Sequence, residues 1–254
     1  IHVTIANLVA DQSGNSLNGK VGSRLTAYLI DIRNSTDALV DAVSTRNPFT
    51  YSIAAVGSTR FCIRYSDTRV ATSGLYDQLD GIHVLDSSFG DVDYNNVDQR
   101  YNNSTDGDDA LVAHTIHRAT HDIAYIGNKA RGGARGDGMQ IAVGDYPVYN
   151  LRIQNNEIYG SPEGIRTGYY DNETGAVYGI TLGGSSGSGN YIHDLQPGIA
   201  FPDGGDAVWL SASPHNGGIS YITVSYNTVC NAGQVLVDSG SGVAVSSNSI
   251  AAVC

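Results

Sequence analysis

Along this chain the pattern apolar-x-apolar-x-x-Asn-x-apolar recurs in full four times. It is met by Ile123, Tyr125, Asn128 and Ala130, then by Leu151, Ile153, Asn156 and Ile158. It returns at Ile222, Val224, Asn227 and Val229, and again at Val243, Val245, Asn248 and Ile250. Two imperfect copies accompany these. Ile82, Val84, Ser87 and Phe89 carry serine in the asparagine position, and Ile180, Leu182, Asn190 and Ile192 carry a five-residue Gly/Ser insertion before it. Asparagine-to-asparagine distances from Asn128 to Asn248 run 28, 34, 37 and 21 residues. A second short apolar segment follows most copies: Gly138-Met139-Gln140-Ile141, Gly164-Ile165-Arg166, Gly198-Ile199-Ala200 and Gln234-Val235-Leu236-Val237.

Apolar residues at i and i+2 of a strand face the same side. Repeats of this length, with loops inserted at fixed points, predict a parallel β-solenoid whose aliphatic residues line the inside. Successive turns then pair at about 4.8 Å, so like side chains stack on like. An asparagine at each inward corner can bond backbone and its neighbours above and below, each bond contributing about 1 kcal/mol. Asparagine taking a left-handed conformation at each corner fits the same fold.

Composition agrees. Glutamate occurs three times, lysine twice and methionine once, so the residues that favour helix surfaces are nearly absent. The 31 glycines suit a chain of short strands and turns. A net charge of −11 leaves no basic surplus for a nucleic-acid backbone or an anionic membrane. No apolar run reaches the length of a membrane span. The sequence starts at Ile1 without a charged-then-apolar leader, and reads as a mature secreted product or a trimmed chain. Cys230 and Cys254 lie about one turn apart, which allows a disulfide at the C-terminal end or two buried thiols. Cys62, in an alternating strand, reads as core.

Residues 1–80 lack the asparagine pattern. Alternating segments at 24–32, 38–45, 49–56 and 60–66 predict a small antiparallel β-sandwich, or a cap on the solenoid end, followed by the parallel β-helix over 81–254. Residues 35–46 can also be read as a short amphipathic helix.

The segments VYNLRIQNNEIYGSPEGI, ISYITVSYNTVCNAG and SGVAVSSNSIAAV resemble the right-handed parallel β-helix superfamily, the pectin-lyase-like group. The resemblance covers residues 81–254. The first eighty residues weakly resemble a prealbumin or carboxypeptidase-regulatory β-sandwich. The superfamily resemblance implies a secreted protein that binds or cleaves polysaccharide, as a glycoside hydrolase or polysaccharide lyase. A second reading is a structural surface protein, a self-associating subunit of a filament, sheath, coat or adhesin. Scarce Lys and Glu and sixteen tyrosines motivate it.

The candidate chemistry lies in NNSTDGDDALVAHTIHRATHD and KARGGARGDGMQI. Asp106, Asp108, Asp109, His114, Arg131, Arg135 and Asp137 are the candidate catalytic residues. Carboxylates in unlike environments can divide acid and base roles, and a lyase needs cationic or metal stabilisation of a carbanion. STDGDDA resembles the aspartate motifs of polygalacturonase-type hydrolases. In that family two Asp motifs stand on different turns, followed by Gly-His-Gly and Arg-x-Lys. Here the aspartates are nearly contiguous and neither later motif is present. In FPDGGDAVWL, Asp203 and Asp206 are candidate Ca²⁺ ligands and Trp209 a candidate sugar-stacking residue.

Overall fold

The computed structural model describes residues 2–13, 28–71, 79–103, 107–170, 172–199, 201–202, 204–215 and 217–254. Among them the chain winds through three parallel sheets. One turn shows the plan. Ile82–Leu85 lies in sheet 1, Ser88–Asp93 in sheet 2 and Asn96–Asp98 in sheet 3. The next turn repeats it with Leu111–His114, Thr120–Ile126 and Lys129–Arg131, each strand paired in parallel with its predecessor. No α-helix occurs among the described residues.

Inward columns form because the register is kept from turn to turn. In sheet 2, Val40, Ile63, Val92, Tyr125, Ile153, Leu182 and Val224 stand over one another, all with no solvent exposure. Tyr125 is tolerated there because its hydroxyl crosses the coil to donate to the Val112 carbonyl at 2.9 Å. Where a large residue fills the coil, its neighbour shrinks. Gly90 pairs with Phe61, and a Cβ on Gly90 would lie 2.1 Å from that ring.

Asn128, Asn156, Asn227 and Asn248 do occupy one column, together with Asn190 and Asn95. Asn156 Oδ1 accepts the Asn128 backbone N–H at 2.9 Å and its Nδ2 at 3.0 Å. Asn156 Nδ2 in turn donates to the Tyr125 carbonyl and to Asn190 Oδ1, both at 2.9 Å. Asn190, Asn227 and Asn248 continue this upward, and Asn95 extends it downward. At five of the six corners the left-handed residue is the one before the asparagine: Tyr94, Gly127, Asn155, Tyr226 and Ser247 have φ between 54° and 66°. The asparagine conformation proposed from sequence is thereby corrected. Ser87 belongs to a different column, at the corner between sheets 1 and 2. The Ser58 amide donates to Ser87 Oγ, and the Ser87 amide to Thr120 Oγ1.

The strands of residues 1–80 also depart from expectation. Thr36–Asp41 pairs in parallel with Thr59–Arg64, which pairs in parallel with Ser88–Asp93. These described strands are turns of the same coil, not an antiparallel sandwich, and residues 36–46 form two strands rather than a helix. The pattern was hidden because Val43 and Ser66 replace asparagine at the corner, while Thr45 and Thr68 replace aliphatics in sheet 3. Residues 14–27 and 72–78 of this region lie outside the described residues. Gly198-Ile199 is loop, and the sheet 1 strand of that turn is Val208–Leu210. Cys230 and Cys254 form a disulfide. Cys62 faces outward between inward Phe61 and Ile63, and is a half-buried free thiol.

Asn156→Ala strands the buried Asn128 donors on one turn and takes a donor from Asn190 Oδ1 on the next. The expected cost is about 3 kcal/mol, measured by urea unfolding. Asn248→Ala, at the partly exposed end of the column, should cost about 1 kcal/mol.

Candidate active site

With Ile82, Leu111, Met139, Ile165 and Val208 stacked inside sheet 1, the residues next to them must face out. The outer face therefore carries the column His83, Val112, Gln140, Arg166 and Trp209. Two residues before each of these five inward residues stands an acid: Asp80, Asp109, Asp137, Glu163 and Asp206. A small residue, Gly or Ala, always separates the two. Gly81 has to be small, since a Cβ there would lie 2.5 Å from the Ala110 carbonyl oxygen.

Parallel stacking thus places carboxyls one rung apart, about 4.8 Å. The backbone relieves part of the repulsion. The Asp137 amide donates to Asp109 Oδ1 at 2.6 Å, the Asp206 amide to Glu163 Oε2 at 2.9 Å, and the Gln234 amide to Asp206 Oδ1 at 3.0 Å. Asp137 breaks the sequence of amide contacts. Its Oδ2 accepts Arg166 Nε at 2.9 Å and Gln140 Nε2 at 3.3 Å, while Oδ1 has no partner among the described residues.

Protonation relieves the rest. Burial pushes Asp80 up to about 8, with the Asp137 charge adding to it and the Asp109 amide opposing. Burial and the charges of Asp137, Asp108 and Asp80 hold Asp109 well above the ordinary carboxylate range. Burial raises Asp137 too, against the pull of Arg166, and Glu163 rises to about 7 by burial. The imidazoles go the other way. Burial depresses both His83 and His114 to about 3, so each is neutral.

Asp80, His83, Asp108, Asp109, His114, Arg135, Gln140 and Arg166 line one groove of about 340 Å³, bounded by Tyr51, Tyr170 and Phe201. Tyr51 lies flat on His83 at 4.0 Å between centroids, and Arg166 sits over Phe201 at 5.0 Å. Of the residues singled out from sequence, Asp108, Asp109, His114 and Arg135 line this groove. Asp137 lies fully buried beneath it, beside Arg166. Trp209 faces outward at 42 % exposure, next to Arg166 on the same face. Arg131 is elsewhere. It belongs to sheet 3, 3.8 Å from Asp98 and against Tyr159. Alternation sends it out from a different face, which spacing along the sequence could not reveal. Asp106 and Asp203 lie outside the described residues.

Asp80, His83, Gln140 and Arg166 were missed. The recurring acid-small-apolar triplet was the available signal. It reads Asp80-Gly81-Ile82, Asp109-Ala110-Leu111, Asp137-Gly138-Met139, Glu163-Gly164-Ile165 and Asp206-Ala207-Val208.

One oxygen each of Asp80, Asp108 and Asp109 lies within 4.8 Å of the others. A proton or a cation relieves such crowding. Ca²⁺ takes about 6–8 oxygen donors. Here Asp80 Oδ2 is engaged by His83, Asp109 Oδ1 by a backbone amide, and Arg135 and Arg166 bring positive charge into the same groove. This donor set suits a shared proton. At Asp206, one carboxylate oxygen is already taken by the Gln234 amide.

The raised carboxyls bind protons more tightly in the fold than in the unfolded chain. Their stabilising contribution is complete below an ordinary pKa of 3.8 to 4.5 and is lost as pH rises through about 7 for Glu163 and about 8 for Asp80. Asp80→Asn should therefore gain stability relative to the parent chain as pH rises from 4 to 8, by at most about 1.4 kcal/mol per pH unit. Urea unfolding across that range measures it.

No family model matches the chain. The curated endo-polygalacturonase of Pectobacterium carotovorum subsp. carotovorum is 23% identical over 159 residues, which is 59% of this chain and 37% of that protein. Among solved structures, the polygalacturonase of Erwinia carotovora ssp. carotovora superposes with a TM-score of 0.52 at 15% identity, covering 89% of this chain and 58% of that one. The hyperthermoactive exopolygalacturonase of Thermotoga maritima gives 0.54 at 14% identity, covering 88% and 54%. The family 28 exopolygalacturonase of Yersinia enterocolitica gives 0.53 at 13% identity, covering 88% and 47%. The chain spans roughly a third to just over half the length of these proteins. With three parallel sheets wound turn upon turn and parallel β-helical polygalacturonases as structural neighbours, the fold is the right-handed parallel β-helix.

Proposed function

We propose that the chain hydrolyses an acidic polysaccharide of the galacturonan type, as a glycoside hydrolase acting outside the cell. The observation that carries this is the cluster of Asp80, Asp108 and Asp109 in a groove shared with Arg135 and Arg166. Asp80 on one turn and Asp108–Asp109 on the next supply the two separated aspartate positions that a polygalacturonase-type motif asks for. Gly136-Asp137-Gly138 follows on the third turn, with aspartate between its glycines rather than histidine, and no Arg-x-Lys follows.

Glycoside hydrolysis needs one carboxyl that keeps its proton and one that does not. The buried pair Asp80 and Asp109 keeps a proton at neutral pH for the reasons given above. That pair acts as general acid, giving a proton to the leaving glycosidic oxygen. Asp108 is less buried and faces the groove, where it activates water or attacks the sugar. A chain of net charge −11 would repel a polyuronate. Arg135 and Arg166 offset that locally, and Trp209 extends the same face with a ring for stacking. The disulfide fits an oxidising compartment.

Reducing-end release from polygalacturonic acid, beside a panel of neutral glycans, tests the reading. Asp80→Asn and Asp108→Asn should each lower kcat by roughly 10²–10⁴-fold. Arg131→Ala should leave it unchanged, and EDTA should too. Failure to cleave any glycan, or aspartate variants as active as the parent, would sink the proposal.

A further inference from the structure

The two histidines of the groove are joined to the buried acid in a single file. Asp80 Oδ2 lies 2.6 Å from His83 Nδ1, and His83 Nε2 lies 3.0 Å from His114 Nδ1. His114 Nε2 ends the file, buried and without a hydrogen-bond partner among the described residues. The rings are fixed by their surroundings. Tyr51 lies 6° from parallel on His83, His114 meets His83 edge-on at 5.2 Å, and Tyr170 leans on His114 at 5.9 Å. The coil sets this arrangement. His83 and His114 come from successive strands of sheet 1, two positions apart in register.

A neutral imidazole carries one N–H and one bare nitrogen. Three groups in file therefore have only two consistent hydrogen orders. In one, Asp80 is protonated and its O–H donates to His83 Nδ1, His83 Nε2–H donates to His114 Nδ1, and the remaining N–H sits on His114 Nε2. In the other, Asp80 is a carboxylate accepting His83 Nδ1–H, His114 Nδ1–H donates to His83 Nε2, and His114 Nε2 is bare. The charge state of a buried acid is thus expressed as a tautomer at the far end of the file.

We propose that His83 and His114 form a proton relay that recharges Asp80 from the groove. The relay rests on the hydrolase reading, in which Asp80 shares the general-acid role. After Asp80 has lost its proton, a hydronium ion that reaches the buried His114 Nε2 from the groove gives it a proton and leaves as water. The His114 Nδ1–H bond breaks as its proton passes to His83 Nε2. The His83 Nδ1–H bond breaks as its proton passes to Asp80 Oδ2. One proton enters, Asp80 gains one, both rings end neutral, and nothing is oxidised or reduced. Asp80 can then cycle while remaining 5 % exposed. Asp86 is the other acid that acts on both histidines, and its carboxylate is held by the backbone amides of Ile116, His117 and Arg118. Asp109 and Asp137 act on Asp80 from the turns above, and Arg135 and Arg166 line the same groove. His83 and His114 are positioning residues, acting through Asp80.

Long-range ¹H–¹⁵N spectra of the histidine-¹⁵N-labelled chain test the relay without substrate. Expected are two neutral rings from pH 5 to 9 whose tautomers invert together, at one shared midpoint, and a file frozen in one tautomer in Asp80→Asn. Tautomers independent of pH in the parent chain, or two rings gaining charge separately near the ordinary histidine value, would overturn it. On polygalacturonic acid, His114→Phe should lower kcat roughly tenfold or more with KM little changed. It should also flatten the alkaline limb of the pH profile. A His114→Phe variant with the parent's kcat and pH profile overturns the relay as well. A tautomer switch in a chain that cleaves no glycan supports the relay and defeats the hydrolase reading alone.

Discussion

In-register parallel stacking is the constraint from which the rest of this molecule follows. Each backbone turn lies about 4.8 Å above the last, so every side chain meets its own positional equivalent. Where the equivalent is an aliphatic, the result is a dry column such as Val40 to Val224. Where it is an asparagine, each amide both gives and takes along the column, and no buried polar atom of the corner is left over. That satisfaction lets Tyr94 and Tyr226 hold left-handed backbone beside it.

The same rule applied to acids has the opposite sign. A carboxylate cannot donate to the carboxylate above it, so a column of Asp80, Asp109, Asp137 and Glu163 is stable only with protons, backbone amides and one guanidinium among its members. Stacking that builds the scaffold therefore also manufactures carboxyls of raised pKa on one outer face. A strained electrostatic arrangement at the surface of a well-satisfied coil is where chemistry is expected. The cost of holding these acids is met by the corner ladders and the aliphatic columns, which are independent of them.

Sheet 1 is the face on which this happens because the acids stand beside its outward column. Turn by turn, sheet 1 presents His83, Val112, Gln140 and Arg166 where sheet 2 presents Asp91, Ala124, Arg152 and Thr181. Arg135 and Arg166 offset the acids there, and Tyr51, Tyr170 and Phe201 enclose the groove with rings. Neutral histidines are a consequence of that enclosure, since burial removes the water that would hydrate an imidazolium.

The repeat carried the architecture in plain sight, because a period of aliphatics and asparagines is a local pattern that only a coil can satisfy. Asn128, Asn156, Asn227 and Asn248 were readable for that reason, and Asp108, Asp109, His114 and Arg135 could be picked out as a dense polar segment. The early turns were not readable, since Thr45, Ser66 and Thr68 satisfy the same inward positions with different chemistry. Nor was the site. Asp80 is 28 residues from Asp108 in the chain, yet their carboxyl oxygens lie within 4.8 Å, while Arg131, four residues before Arg135, leaves the coil by another face. Sequence fixes which residues alternate in and out along a strand. Which of them meet is decided by the register between turns, and loops of unequal length make that register a property of the folded coil alone.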